Sequence, residues 1–200
     1  MKPTPRQPEH SADRLFVDRW SPRSLLPEPI PEADLLVLLE AARWAPSSYN
    51  NQPWRILYAR RETAAWPAFF DLLVEANKGW AKDAAALLLF VSHRFFEHNG
   101  KPCPTHSFDT GAAWENLALQ AAAKGYVAHG MQGFDAEKAR AVLEVPEGFA
   151  VEVMVAVGRQ GPKEALPEEL QKREEPNGRR PLAATAAEGK FTAALLPKKD

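Results

Sequence analysis

The 200-residue chain has a single cysteine, Cys103, which excludes an internal disulfide and favours a reducing compartment. It also lacks a positive excess, since 25 Lys and Arg residues face 26 Asp and Glu residues. Proteins that bind nucleic-acid phosphates normally carry such an excess. No apolar run approaches the ~20 residues that span a bilayer, and the N-terminus lacks a signal-peptide apolar segment. We therefore expect a cytoplasmic protein that binds neither nucleic acid nor a membrane.

Familiar catalytic signatures are also missing. The sequence has no G-x-G-x-x-G after a strand, no P-loop and no G-x-S-x-G elbow. His93 and His98 do not have a zinc-binding spacing, and Cys103 lies between two prolines without an adjacent base. Neither a metal site nor a side-chain nucleophile is expected.

The apolar pattern predicts one α+β or mixed α/β domain. The predicted helices cover residues 11–20, 31–45, 64–77, 108–124 and 135–144, and the predicted strands cover 54–59, 84–92, 126–131 and 149–157. The 108–124 helix is apolar almost all round, which indicates a buried central helix, with Ser107 as its N-cap. We expect a disordered arm over residues 1–10, the domain over 11–182 and a C-terminal extension over 183–200.

The densest polar motif is the loop Ala45-Pro-Ser-Ser-Tyr-Asn-Asn-Gln-Pro-Trp54. Two prolines stiffen it, and two hydroxyls, a phenol and three amides lie between them. Neutral hydrogen-bonding groups on a stiff loop suit a flat, polar, uncharged ligand such as a heteroaromatic ring. An ordinary polar turn has the same composition, so the loop alone does not decide between the two interpretations.

Two basic clusters and a glycine turn accompany this loop. Arg19, Ser21 and Arg23 combine two guanidinium groups with a hydroxyl, a set that can bind a phosphate. Arg179-Arg180 lies in the charged tail, and Gly130–Gly133 follows a strand, where backbone N–H groups can approach a ligand. Each is also compatible with a solvated edge or a simple turn, and only their joint occurrence, in a chain without a nucleotide fingerprint, favours a binding site.

Together these motifs resemble the nitroreductase family of FMN-dependent oxidoreductases. The resemblance lies in five segments: Arg19-Trp-Ser-Pro-Arg23 to R-[RHW]-S-x-[RK], the 45–54 loop to A-P-S-x-x-N-x-Q-P-W, Asp109–Gly125 to the central helix, Gly130–Asp135 to the G-G-F-D turn, and Arg179–Leu182 to R-[RK]-P-L. They occur in family order across roughly residues 14–182.

The resemblance implies an α+β homodimer with a central, mainly antiparallel sheet, a long buried helix, a C-terminal arm and FMN between the subunits. It also implies NAD(P)H as reductant and a flat, electron-poor small molecule, a nitroaromatic or a quinone, as acceptor in a ping-pong mechanism. FMN would carry the chemistry, so no catalytic side chain is expected. Dehalogenases, azoline oxidases and flavin-cleaving enzymes of the same fold, or a non-catalytic flavin-binding protein, remain alternatives.

The resemblance also assigns site residues. The implied FMN contacts are Arg19, Trp20, Ser21, Arg23, Pro46, Ser47, Ser48, Asn50, Asn77, Gln132, Gly133 and Arg179. Among them Arg19, Ser21 and Arg179 would hold the phosphate and ribityl chain, with Arg180 as a nearby alternative, and Arg23 would face the pyrimidine side of the ring. The candidates for a substrate wall are Tyr49, Phe95 and Phe96. Trp80 departs from the family, because several members carry a basic residue there.

Overall fold

A computed structural model describes residues 5–197 as an α+β fold with one four-stranded sheet. The strands are β1 (Trp54–Arg60), β2 (Ala86–His93), β3 (Val127–Met131) and β4 (Phe149–Gly158). Their order is β1-β2-β4-β3, and each neighbouring pair is antiparallel. The expected mainly antiparallel sheet is therefore confirmed, and β1 and β3 form its two edges.

Helices cover both faces of the sheet. They are α1 (Arg14–Asp18), α2 (Glu32–Arg43), α3 (Trp66–Phe70), α4 (Glu75–Ala81), α5 (His106–Ala123), α6 (Ala136–Val142) and α7 (Glu168–Gln171). Helices α2 and α5 pack on one face with Leu88 and Phe90 of β2, whereas α3, α4 and α6 pack on the other with Leu87 and Leu89. Successive β2 side chains alternate between the two core clusters because strand side chains alternate in direction. This explains the continuous apolar run of β2.

Helix α5 is the expected long central helix. Ala113, Leu117 and Ala121 on its inner side are fully buried, and the small alanines allow close packing against α2. The predicted cap at Ser107 is wrong, because the helix begins at His106 and Thr105 occupies the N-cap position. The outer side of the first turn exposes Phe108, whose accessibility is 81%.

The predicted single helix over residues 64–77 is also wrong. The chain forms α3 and α4 instead, and between them Leu73 pairs with Phe134 in an isolated β-bridge. The Val74 N–H donates to the Gly133 carbonyl at 3.1 Å. These contacts with the turn after β3 outweigh the helical periodicity, and they place Asn77 of α4 next to Gly133.

The N-terminal segment contacts the end of α1 and the C-terminal segment. Arg6 Nη1 donates to the carbonyls of Val17 and Arg19, at 3.1 and 2.8 Å, and Glu9 Oε1 accepts from the Leu182 N–H at 2.9 Å. The predicted arm over residues 1–10, domain over 11–182 and extension over 183–200 stay predictions, and residues 1–4 and 198–200 lie outside the described residues. No helix in the described range is long and apolar enough to cross a membrane.

Candidate functional site

Arginines from both ends of the chain line one cavity of ≈ 220 Å³, here called the cationic cavity. Its lining residues are Arg6, Arg19, Trp20, Ser21, Arg23, His129, Arg173, Glu175, Asn177 and Arg179. The structure thus brings together five predicted site residues from segments that are far apart in sequence. Guanidinium groups and a hydroxyl around a small cavity form a site suited to a phosphate group.

A buried carboxylate holds the two halves of this cavity together. Glu174 is 6% exposed, and its Oε1 accepts from the backbone N–H groups of Arg23 and Ser24, each at 2.8 Å. Hydrogen bonds to an ionised acceptor are among the stronger ones in proteins. Glu174 therefore fixes the segment that follows α7 against the segment that carries Arg19 and Arg23.

His129 of β3 lines the cavity. Its Nδ1 lies 3.0 Å from the Pro22 carbonyl, which can only accept, so Nδ1 carries the proton. Burial is the main cause that lowers the pKa of His129, and the charge of Arg23 lowers it further. The imidazole is therefore neutral near pH 7, and the cavity's positive charge comes from its arginines.

A second group of predicted residues lies next to His129. Trp80 is 2% exposed, and its ring centroid is 4.7 Å from that of His129. Trp80 Nε1 donates to Asn77 Oδ1 at 3.3 Å, and Asn77 Nδ2 donates to the Gly133 carbonyl at 2.9 Å. These contacts orient the Asn77 amide and connect Gly133, with its neighbour Gln132, to the cationic cavity.

The polar loop is held in an unusual conformation. The Ser48 N–H donates to Asp109 Oδ2 at 3.1 Å, and Ser47 Oγ accepts from the Gln52 N–H at 3.0 Å. Tyr49 and Gln52 have φ values of 51° and 47°, and Asn50 between them has 53°. Positive φ is uncommon outside glycine and persists where surrounding contacts hold it. The loop therefore has one defined shape, with Pro46 exposed at its start.

Two of the three predicted wall residues lie together. The Tyr49 side chain is 83% exposed, and its ring lies 5.7 Å from those of Phe96 and His98. The Phe95 ring instead lies 5.9 Å from His93. The sequence did not indicate that His98 packs beside Tyr49 and Phe96.

The predicted residues thus form separate groups within the chain. The polar loop leads into β1, whereas the cationic cavity includes His129 of β3, so the two lie at opposite edges of the sheet. Three inter-strand spacings separate these edges, or about 14 Å. Asp109 joins the loop to α5 on one face, while Asn77 belongs to α4 on the other.

The chain is similar to known proteins over most of its length. The nitroreductase family model matches residues 17–79 and 62–159, which together cover most of the chain. The chain belongs to the nitroreductase family. A solved structure described as an oxidoreductase containing FMN is 47% identical, with a TM-score of 0.92, covering 96% of this chain and 98% of that chain.

Two curated proteins are similar in sequence to this nitroreductase-family chain. The NADH dehydrogenase of Thermus thermophilus is 31% identical over 184 residues, covering 76% of this chain and 87% of that protein. The Streptomyces coelicolor protein SCO7141 is 36% identical over 97 residues, and that match spans about half of each protein, 48%. The family match includes the polar loop and Asn77 but not Arg6, Arg173 or Arg179.

Several residues that shape the site carried no sequence signal. Arg6, Arg173 and Glu174 lie in polar segments outside the family motifs. Only the folded chain brings Arg6 and Arg173 to the cavity and lets Glu174 accept from the backbone of Arg23 and Ser24. Trp80, the departure from the family pattern, lies in the core and orients Asn77.

Gly133→Ala should destabilise this nitroreductase-family protein. A Cβ there would lie 2.7 Å from Asn77 Nδ2 and 3.0 Å from Val74 Cγ2, so Asn77 must move. We expect a loss of about 1–3 kcal/mol in the free energy of unfolding, measured by urea denaturation. Gly79→Ala in α4 is the matched control, because nothing lies within 4 Å of its added Cβ. Equal stability of the two variants would contradict the close packing.

Proposed function

We propose that this FMN-dependent NAD(P)H oxidoreductase reduces a flat, electron-poor acceptor, such as a nitroaromatic or a quinone, by a ping-pong mechanism. The cationic cavity is the observation that carries the proposal. It collects five arginines and the Ser21 hydroxyl at the edge of the sheet, beside an oriented amide, in a chain that shows no other phosphate fingerprint.

The residues present fit the phosphate of FMN. A phosphate monoester carries about −1.5 to −2 charge near pH 7 and offers acceptor oxygens only. Arg19 and Arg179 supply cationic donors, and Glu175 is the single carboxylate among the lining residues. Arg19 Nη1 also lies 3.4 Å from Ser21 Oγ, so the hydroxyl and the guanidinium converge. Arg180 lines the neighbouring cavity instead, which favours Arg179 as the phosphate ligand.

The ring of FMN would lie toward Asn77, Gln132 and Gly133. Trp80 and His129 join this group to the cationic cavity, so one ligand can contact both. When bound, FMN would accept hydride from NAD(P)H and pass the electrons to the acceptor. The chain's own residues would bind and orient the flavin. The Asn77 amide is held by hydrogen bonds at its oxygen and at its nitrogen, and Arg23 offers a positive charge that favours a reduced, anionic ring.

We propose further that the functional unit is a homodimer with FMN at the subunit interface. The polar loop lies at the opposite edge of the sheet from the cationic cavity, so the loop of one copy can complete the cavity of the other. Two-fold symmetry would then create two equivalent sites. Trp44 is 71% exposed, and with Phe108 it supplies apolar surface for such an interface. Pro46, Ser47, Ser48 and Asn50 would contact the ring, and Tyr49 and Phe96 would stack on the acceptor.

The visible spectrum of the purified chain tests the function. We expect a yellow protein that anaerobic NADH or NADPH bleaches and that a nitroaromatic or a quinone then reoxidises. Steady-state rates should give parallel double-reciprocal lines, because reductant and acceptor use the same site in turn. A yellow protein that neither nucleotide bleaches would favour a same-fold enzyme with a dedicated substrate. A colourless protein that takes up no added FMN would overturn the proposal.

A further inference from the structure

The N-terminal segment reaches the cationic cavity through Arg6. Arg6 Nη1 donates to the Val17 and Arg19 carbonyls, which end α1, and a cation is favourable at a helix C-terminus. A guanidinium has five N–H groups, and these two bonds use only part of that capacity. Capping α1 accounts for the position of Arg6 but not for its remaining donors.

Arg6 lines the cationic cavity, and its remaining donors are poorly paired. Its Nε is buried and has no hydrogen-bond partner among the described residues. Its Nη2 lies 3.5 Å from Asn177 Oδ1, which is the limit of a hydrogen bond. An arginine with unused donors beside a cavity is suited to an anion there, because its guanidinium offers charge-assisted hydrogen bonds.

The electrostatic surroundings of Arg6 point to the same ligand. Burial is the main cause that lowers the pKa of the Arg6 guanidinium, and the charges of Arg179 and Arg19 lower it further. Three guanidinium groups at one small cavity repel one another, and a bound anion would reverse the sign of that interaction. The cavity thus fits an oxyanion best with Arg6 in place.

We propose that Arg6 is an additional ligand of the FMN phosphate and that the N-terminal segment selects FMN over riboflavin. This inference rests on the proposed function, because it assumes that the cationic cavity holds the flavin phosphate. The segment also contacts the opposite chain end, since Glu9 accepts from the Leu182 N–H three residues after Arg179. Glu9 lines the neighbouring cavity, so this bond holds the N-terminal segment against the C-terminal segment beside the cationic cavity.

Flavin titrations of the full-length chain, stripped of its flavin, test the proposal. Arg6→Ala should weaken FMN binding about tenfold or more, because a phosphate loses a charge-assisted donor. The same variant should change the affinity for riboflavin, which has no phosphate, by less than about twofold. Arg6→Lys should recover part of the FMN affinity, since it keeps the charge but loses the planar fork. The free flavin is measured by its fluorescence.

Arg60→Ala is the matched control, because Arg60 lies on β1, at the edge of the sheet opposite the cavity. There it pairs with Glu32 of α2. It should leave the affinities for both flavins unchanged. Equal losses for FMN and riboflavin in Arg6→Ala would mean that Arg6 only caps α1, and unchanged FMN affinity would likewise overturn the proposal. If the wild-type chain binds riboflavin as tightly as FMN, the phosphate site itself is misassigned. If it binds neither, the proposed function fails as well.

Discussion

Arg19→Ala should lower the affinity for FMN by about ten- to a hundredfold. Arg19 lies in the cationic cavity, its side chain is 15% exposed, and its Nε is 3.5 Å from Glu115 of α5. Loss of a hydrogen bond to a charged group costs about 1.5–3 kcal/mol, and each 1.4 kcal/mol is a factor of about ten in affinity. Glu115 and Ser21 hold the Arg19 side chain in place before the ligand arrives, which lowers the entropy cost of binding.

The measurement is the dissociation constant of FMN from stripped protein, together with the rate of NADH oxidation at saturating FMN. Added FMN should restore most of the rate, because Arg19 would bind the phosphate and would not touch the reacting atoms. Arg60→Ala again serves as the control. An FMN affinity that survives Arg19→Ala would place the phosphate elsewhere.

Two inactive variants should restore activity when they are mixed. The first is Arg19→Ala, assayed at FMN concentrations too low to load it, and the second carries Ser48→Ala and Asn50→Ala in the polar loop. If each site combines the cavity of one copy with the loop of the other, a mixed dimer contains one intact site. Random reassembly makes about half of the dimers mixed, so about a quarter of all sites should work.

The mixing experiment separates sites within one copy from sites shared between copies. A site built from one chain would give no intact combination, and the mixture would stay inactive. The variants must be denatured and refolded together, or co-expressed, so that subunits exchange. The wild-type chain taken through the same procedure is the control for refolding, and the doubly substituted chain mixed with itself is the control for background activity. Persistent inactivity alongside confirmed mixed dimers would contradict the shared site.

Much of the fold follows from local pattern in the sequence. The apolar run of β2 predicts a strand buried on both faces, and the Ala-rich segment predicts α5, because burial on all sides demands such sequences. The break between α3 and α4 does not follow, since it depends on a bridge from Leu73 to Phe134. Helical periodicity continues through that break and reveals nothing of the tertiary contact.

The candidate site likewise contains residues that the sequence predicts and residues that it does not. Motif resemblance points to Arg19, Ser21, Arg23 and Arg179, and the structure brings these four to one cavity. Arg6 and Glu174 could not be predicted, because a lone arginine or glutamate in a polar segment carries no periodicity or spacing. The conformation of the polar loop is predictable in part. Asparagine tolerates positive φ, so Asn50 is compatible with this conformation, whereas Tyr49 does not indicate it.

The contact between Arg6 and Asn177 at the cavity has a consequence for biosynthesis. Arg6 Nη2 and Asn177 Oδ1 are 171 positions apart in the chain, and Glu174 joins the same two regions. A ribosome releases the N-terminal part first, at about 5–20 residues per second. The nascent chain can therefore form the sheet and α5 while the anion site is still incomplete. If FMN binds in the cationic cavity, its stable loading must wait until the segment with Arg173, Asn177 and Arg179 has been synthesised.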